Sequence, residues 1–184
     1  MGAIKVHEFI TLDGCIGAPM WTFEYPFTDE MMASLAAITG SASAILLGRT
    51  TWVEMGPAWS ARSDATTPGV PFFNNSPKHV VSGSLTSSEG WDNSHLIGAY
   101  DVDTLRGGLK ADTDGDIYVS GSGTLVRAML ADGLVDELHL FVYPVALGTG
   151  PKLFPEGTEN ALNLLGCEAY TNQVVHLTYG PRSA

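Results

Sequence analysis

The segment Leu47-Gly-Arg-Thr-Thr-Trp52 sets a glycine, a guanidinium and two hydroxyls at the end of a short apolar run that begins at Ala44. These groups suit an anion, and the background charge sharpens the point. With 9 Lys+Arg against 20 Asp+Glu and a net charge of −11, a cation just past a buried strand sits in an unfavourable field and calls for a specific partner. A second segment, Asp116-Ile-Tyr-Val-Ser-Gly-Ser-Gly-Thr-Leu125, reads as a strand ending in a turn of small residues, followed by the amphipathic run Leu125 to Asp132. Glycines let backbone approach a ligand closely, and free N–H groups at a helix start attract phosphate oxygens. Two such sites in one chain point to a dinucleotide. Taken singly, Gly48-Arg49 is also compatible with a plain strand-to-helix turn, and Gly121 to Thr124 with an ordinary helix start. A Rossmann fingerprint is disfavoured, because Val126 stands where a third glycine belongs and no acidic residue ends a following strand at the required place.

The elements that must position these groups are legible from periodicity and punctuation. Ile4 to Ile10 reads as a first strand. Thr28 to Thr39 reads as a helix, with Thr28 as its cap, Asp29 and Glu30 in its first turn and Gly40 as its stop. Ala44 to Leu47 is a short continuous apolar run that suits a strand buried on both faces, as in parallel sheets covered by helices. The next helix starts near Thr50. Trp59 to Pro77 has turn-forming composition and no period, which predicts a long loop anchored by Val70-Pro-Phe-Phe73. Lys78 to Ser82 and His95 to Gly98 read as brief strands, and Asp101 or Asp103 caps a helix over Thr104 to Lys110. Gly133 closes the helix after the second motif. Val135 to Val145 is a long strand, and Leu162 to Tyr170 with Gln173 to Tyr179 form an antiparallel hairpin around Thr171-Asn172. The pattern predicts an α/β sandwich with a mixed sheet in a single domain spanning residues 1–184.

The totals exclude several classes. A hydrophobic content of 45% with 16% charged residues is that of an ordinary globular chain. The acidic balance argues against nucleic acid and against an anionic membrane surface, both of which require clustered Lys/Arg. No apolar run approaches the length of a membrane span and the N-terminus lacks a cleavable leader pattern, so a cytoplasmic location is expected. Cys15 and Cys167 show neither disulfide nor zinc spacing. His7, His79, His95, His139 and His176 lie in predicted strands without metal-ligand pairing, and no metal is expected. Trp21, Phe23, Tyr25 and Phe27 alternate in a way that serves either stacking on a flat heterocycle or core packing.

In their order along the chain, Thr11-Leu-Asp-Gly14, Leu47-Gly-Arg-Thr-Thr-Trp52, Val119-Ser-Gly-Ser-Gly-Thr-Leu125, Gly133-Leu-Val-Asp-Glu-Leu138 and Pro144-Val-Ala-Leu-Gly-Thr-Gly-Pro-Lys-Leu-Phe154 resemble the dihydrofolate reductase-like fold. Within it they resemble the reductase domain of bifunctional riboflavin-biosynthesis enzymes, the RibD C-terminal domain, and its small stand-alone relatives. The resemblance implies a three-layer sandwich: a mixed, mostly parallel sheet with helices on both faces. It also implies a homodimer and NADPH lying across the carboxyl ends of the strands. Carried over, Gly48, Arg49, Thr50 and Thr51 hold the adenosine side and the pyrophosphate, with Arg49 on a 2′-phosphate. Ser82, Gly83 and Ser84 meet the adenosine end. Ser120, Gly121, Ser122, Gly123 and Thr124 cover the pyrophosphate, and Ile16 and Gly17 lie near the nicotinamide. The implied chemistry is hydride transfer to a C=N or C=O bond of a small heterocyclic or carbonyl substrate. Dihydrofolate reductases proper carry a carboxylate on the first helix, where this chain has Met32. That departure favours a riboflavin-type or related reductase, with Asp13 and Glu30 as candidates for substrate contact or proton supply. The alternative is a nucleotide-binding module of this fold without turnover. Pro144 to Phe154 is scaffold first and a substrate contact second.

Overall fold

The computed structural model describes residues 2–182. Its strands are β1 (Ile4–Thr11), β2 (Ala42–Gly48), β3 (Lys78–Val81), β4 (Ser94–Leu96), β5 (Asp116–Ser120), β6 (Glu137–Tyr143), β7 (Leu162–Ala169) and β8 (Val175–Pro181). They form one eight-stranded sheet in the order β4-β3-β2-β5-β1-β6-β8-β7. The strands from β4 to β6 pair in parallel. The hairpin of β7 and β8 adds antiparallel to β6. This is the mixed, mostly parallel sheet that the sequence predicts.

Alternation along each strand sorts the side chains into two cores. On one face Ile4, Val6, Ile10, Leu46, Val119 and Leu138 pack under α5 (Gly123–Ala131), which contributes Leu125, Val126 and Met129. On the other, Ile45, Leu47, Tyr118, Phe141 and Tyr143 pack under α1 (Asp29–Gly40), α2 (Arg49–Ser60) and α3 (Val70–Asn75). β1, β2 and β5 are central and covered on both sides, which explains the unbroken apolar run of β2, while β1 buries His7 and Glu8 among its apolar residues.

Three local expectations are revised. The stretch from Trp59 to Pro77 is not a continuous loop: α2 runs to Ser60, and α3 forms where Gly69 (φ +85°) turns the chain and Pro71 opens the helix. Val70 and Phe73 are its buried anchors, and Trp59 stacks on Phe73 at 4.2 Å. The first helix includes Gly40 and ends at Ser41. The segment Thr104–Leu109 is a π-helical turn that runs into α4 (Lys110–Asp112), started by Asp101 and not by Asp103, as Asp101 Oδ1 accepts from the Thr104 amide at 2.7 Å.

Candidate active site

Parallel pairing fixes where the two glycine-bearing motifs meet. β2 and β5 are neighbours running the same way, so Gly48 and Ser120 end at the same edge of the sheet. The amide of Gly48 donates to Ser122 Oγ at 2.9 Å. A Cβ added to Gly121 would stand 3.5 Å from the Thr51 side chain. The two loops therefore share one cleft.

Both loops open helices whose first amides have no side-chain cap. Gly48 precedes α2 and Ser122 precedes α5, and neither start is capped by a side chain. By contrast, the α1 start is closed by Thr28, whose Oγ1 accepts from the Met31 amide at 3.3 Å. Uncapped amides at a helix start bring partial positive charge to an anion. Ser122 strengthens the distinction, since its φ of +66° is a left-handed conformation that a residue with a Cβ adopts only at a cost. It follows Gly121, also left-handed at φ +55°, whose amide donates to the His7 carbonyl at 3.3 Å and ties the loop to β1.

The remaining sequence-derived cofactor positions join this edge. Arg49 and Thr50 are exposed at the α2 start, and Thr51 is half-buried beside them. Among the described residues Arg49 forms no ion pair. Val81 lies opposite Gly48 in the β2–β3 pairing, so Ser82, Gly83 and Ser84 leave the sheet next to Arg49. Ser82 Oγ accepts from the amides of Ser84 and Leu85 at 3.2 and 3.0 Å, shaping its own loop. Ile16 reaches Gly123 so closely that an added Cβ there would collide with it, and a Cβ on Gly17 would meet Pro151 at 2.5 Å. Thr124 is exposed and its hydroxyl accepts from Arg127 at 3.2 Å.

The two carboxylates bond neither to the two loops of this cleft nor to each other. Asp13 accepts from Thr11 Oγ1 at 2.5 Å, from Lys152 Nζ at 2.6 Å and from the amides of Leu147 and Gly148 at 3.2 and 2.8 Å. The Lys152 bond above all holds its pKa well below the usual carboxylate range, so at neutral pH it is a committed anion fastening two loops. Glu30 is exposed and takes a 3.3 Å hydrogen bond from Thr171 in the β7–β8 turn. Pro144 to Phe154 is tied to the Thr11–Gly17 loop through Lys152 and a Cys15–Lys152 bridge.

Sequence reading took His7 as a strand histidine and passed over Glu8 and Tyr143, all three of them buried polar side chains on β1 and β6. His7 is buried, with Nδ1 2.8 Å from the Tyr118 hydroxyl, and burial lowers its pKa to about 3. Glu8 faces the opposite side of the sheet, and burial raises its pKa to about 8, only partly offset by Arg127. Tyr143 is fully buried at the carboxyl end of β6, and burial pushes its hydroxyl pKa up. Each looks in sequence like an ordinary alternation slot; only the register shows that His7 lies level with Ser120 and that Tyr143, opposite Thr11, stands beyond it. His139 and His176 are sheet histidines, joined Nδ1 to Nε2 at 3.0 Å. Among the described residues no helix is long and apolar enough to cross a membrane.

Comparison with known proteins agrees with this architecture. YwjB of Bacillus subtilis (strain 168), an uncharacterised protein, is 27% identical over 175 residues, 92% of either chain. A riboflavin biosynthesis protein from Shewanella superposes with a TM-score of 0.79 at 22% identity, covering 98% of this chain and 99% of its own. A Thermotoga maritima diaminohydroxyphosphoribosylaminopyrimidine deaminase/5-amino-6-(5-phosphoribosylamino)uracil reductase superposes with a TM-score of 0.69 at 14% identity, over 98% of this chain and 57% of its own. Residues 3–176 match the RibD C-terminal domain family, and the chain belongs to that family.

Proposed function

We propose that the protein is an NADPH-dependent reductase that delivers a hydride to a small heterocyclic or carbonyl substrate. The observation that carries this reading is the 2.9 Å bond from the Gly48 amide to Ser122 Oγ, which locks two uncapped helix starts into one cleft. The donor set fits a dinucleotide. Backbone amides at Ser122 to Thr124 and at Thr50 and Thr51 offer neutral donors to a pyrophosphate. Arg49 offers a planar bidentate cation to a 2′-phosphate. When bound, the reduced nicotinamide supplies the hydride, and the chain supplies orientation and a dry surface. Ile16 and Gly17, pressed against Gly123 and Pro151, form an apolar wall at the end of the cleft away from Arg49. The likeness of fold to the Thermotoga maritima deaminase/reductase supports the same chemistry.

Calorimetric titration with NADPH, followed by absorbance at the nicotinamide band with a pteridine, pyrimidine and quinone panel, tests the proposal. Binding and substrate-dependent oxidation are expected; no heat of binding overturns it. A second reading, a nucleotide-binding module without turnover, is favoured by the commitment of Asp13 to Lys152 and by the absence of a carboxylate at Met32. It predicts binding with no oxidation of NADPH by any member of the panel.

A further inference from the structure

Four buried side-chain polar atoms lack a hydrogen-bond partner among the described residues: His7 Nε2, Glu8 Oε1, Trp21 Nε1 and Tyr143 Oη. A buried donor without a partner costs roughly 1–3 kcal/mol, so a cluster of them calls for a role. Three of the four belong to one aromatic assembly. The Tyr143 ring is met edge-on by Trp21 at 5.0 Å, Phe9 at 5.6 Å and Tyr25 at 5.7 Å between centroids. Phe9 touches Phe27 at 5.7 Å and, from behind, His7 at 4.5 Å. Tyr143 lies opposite Thr11 in the β1–β6 register, at the carboxyl ends of both strands. The assembly thus lies on β1 and β6, beside β5, on the sheet face covered by α1, while Ile16 packs into the core under α5.

We propose that Phe9, Trp21, Tyr25, Phe27 and Tyr143 form the substrate seat, which takes a planar, uncharged, phosphate-free ring whose carbonyl or ring-nitrogen acceptors meet Tyr143 O–H and Trp21 Nε1–H. The inference rests on the reductase reading and deepens it. Aromatic walls supply stacking area for a flat ring. Two unsatisfied donors supply the polar specificity that an otherwise apolar site needs. Both donors are neutral, and the seat offers no cation. The cations on the adjoining loops are consumed internally: Lys152 binds the Asp13 carboxylate and main-chain oxygen at 2.6 and 2.7 Å, and Arg127 spans the Lys152 carbonyl and the Thr124 hydroxyl at 3.0 and 3.2 Å. A phosphate on the substrate would find no free positive charge there, in contrast to the phosphoribosyl compound in the Thermotoga maritima protein's description.

The cover of the seat is the short 3₁₀ turn Met20–Glu24, which brings Trp21 onto Tyr143 while Met20 and Phe23 are 69% and 76% exposed. It follows Ala18, held at φ +40°. Lifting this turn frees the Trp21 and Tyr25 contacts and admits a ring against Tyr143 and Phe9.

The test is quenching of tryptophan fluorescence by lumazine and menadione, and by the matched pair riboflavin and FMN, with and without NADPH. Saturable binding of the neutral rings is expected, with FMN at least tenfold weaker than riboflavin. Tyr143→Phe should weaken lumazine about tenfold while leaving NADPH affinity unchanged and thermal stability equal or higher, since it removes an unpaired hydroxyl. A merely structural tyrosine would instead leave lumazine affinity unchanged. FMN binding as well as riboflavin, or Tyr143→Phe leaving lumazine affinity intact, overturns the proposal. Absence of NADPH binding with normal ring binding would overturn the reductase reading and leave the seat standing.

Discussion

Along β2 and β5 the carboxyl edge of the sheet carries Gly48, Thr50, Gly121 and Gly123, whereas along β1 and β6 it carries His7, Phe9 and Tyr143. The first half works with main-chain amides and one exposed guanidinium. The second works with rings and with buried groups that titrate. A backbone site binds through groups every residue carries, so its signature is the lack of obstruction: glycines, hydroxyls and helices left uncapped. A side-chain site binds through residue identity, and its members come from β1, the turn before α1 and the end of β6. The two halves should therefore fail in different ways.

The largest effect is expected in the side-chain half. Glu8 has its pKa raised from 4.5 to about 8, so its neutral form stabilises the fold fully below pH 4.5, and that contribution is lost as pH rises toward 8. Glu8→Gln should raise the melting temperature increasingly between pH 4.5 and 8 and then plateau, with a ceiling on the order of 4–5 kcal/mol. Thermal melts of both proteins across that range check it; parallel curves would show that Glu8 ionises freely. His7 has the opposite sign. Its pKa falls from 6.5 to about 3, so its contribution is complete above pH 6.5 and is lost as pH falls toward 3. Acid titration followed by circular dichroism should show stability declining from pH 6.5 downward, and His7→Phe should flatten that slope.

In the backbone half the effect is on ligand affinity and leaves stability alone. Arg49→Ala removes a charge-assisted contact and should weaken NADPH by about 10- to 100-fold, from roughly 1.5–3 kcal/mol, with NADH little changed. Calorimetry with both coenzymes reads this directly, and equal losses would detach Arg49 from the 2′-phosphate. The smallest effect sharpens the contrast between capped and uncapped helices. Thr28→Ala should cost about 1 kcal/mol of stability and leave NADPH binding untouched, because that helix start already has its partner.

The same contrast explains what could be read from sequence. Strand order aside, the central strands were visible because burial on both faces makes them continuous apolar runs, as in Ala44 to Leu47. The meeting of Gly48 with Ser122 followed from two strand-loop-helix motifs that need little side-chain information. Helix α3 was hidden because Gly69 and Pro71, which start it, are also the residues that mark loops, and its six residues are too few to show a period. Tyr143 and the Tyr118 partner of His7 were hidden because alternation assigns a residue to a face and does not say what lies opposite. Glu8 was passed over for a related reason: an isolated acid in a strand reads as a solvent-facing position until its neighbours on both sides are known.

The segments flanking the seat are fastened together. Leu12 donates to the Val145 carbonyl at 2.8 Å, Ile16 to that of Pro151 at 2.9 Å and Leu153 to that of Gly14 at 3.0 Å, with Asp13 and Lys152 between them. Two stretches more than a hundred residues apart in the chain are stitched into one plate. A deletion or insertion in either would shear the other, so lineages carrying this plate are expected to change the lengths of both stretches together or of neither, leaving the Met20–Glu24 turn as the part free to diversify.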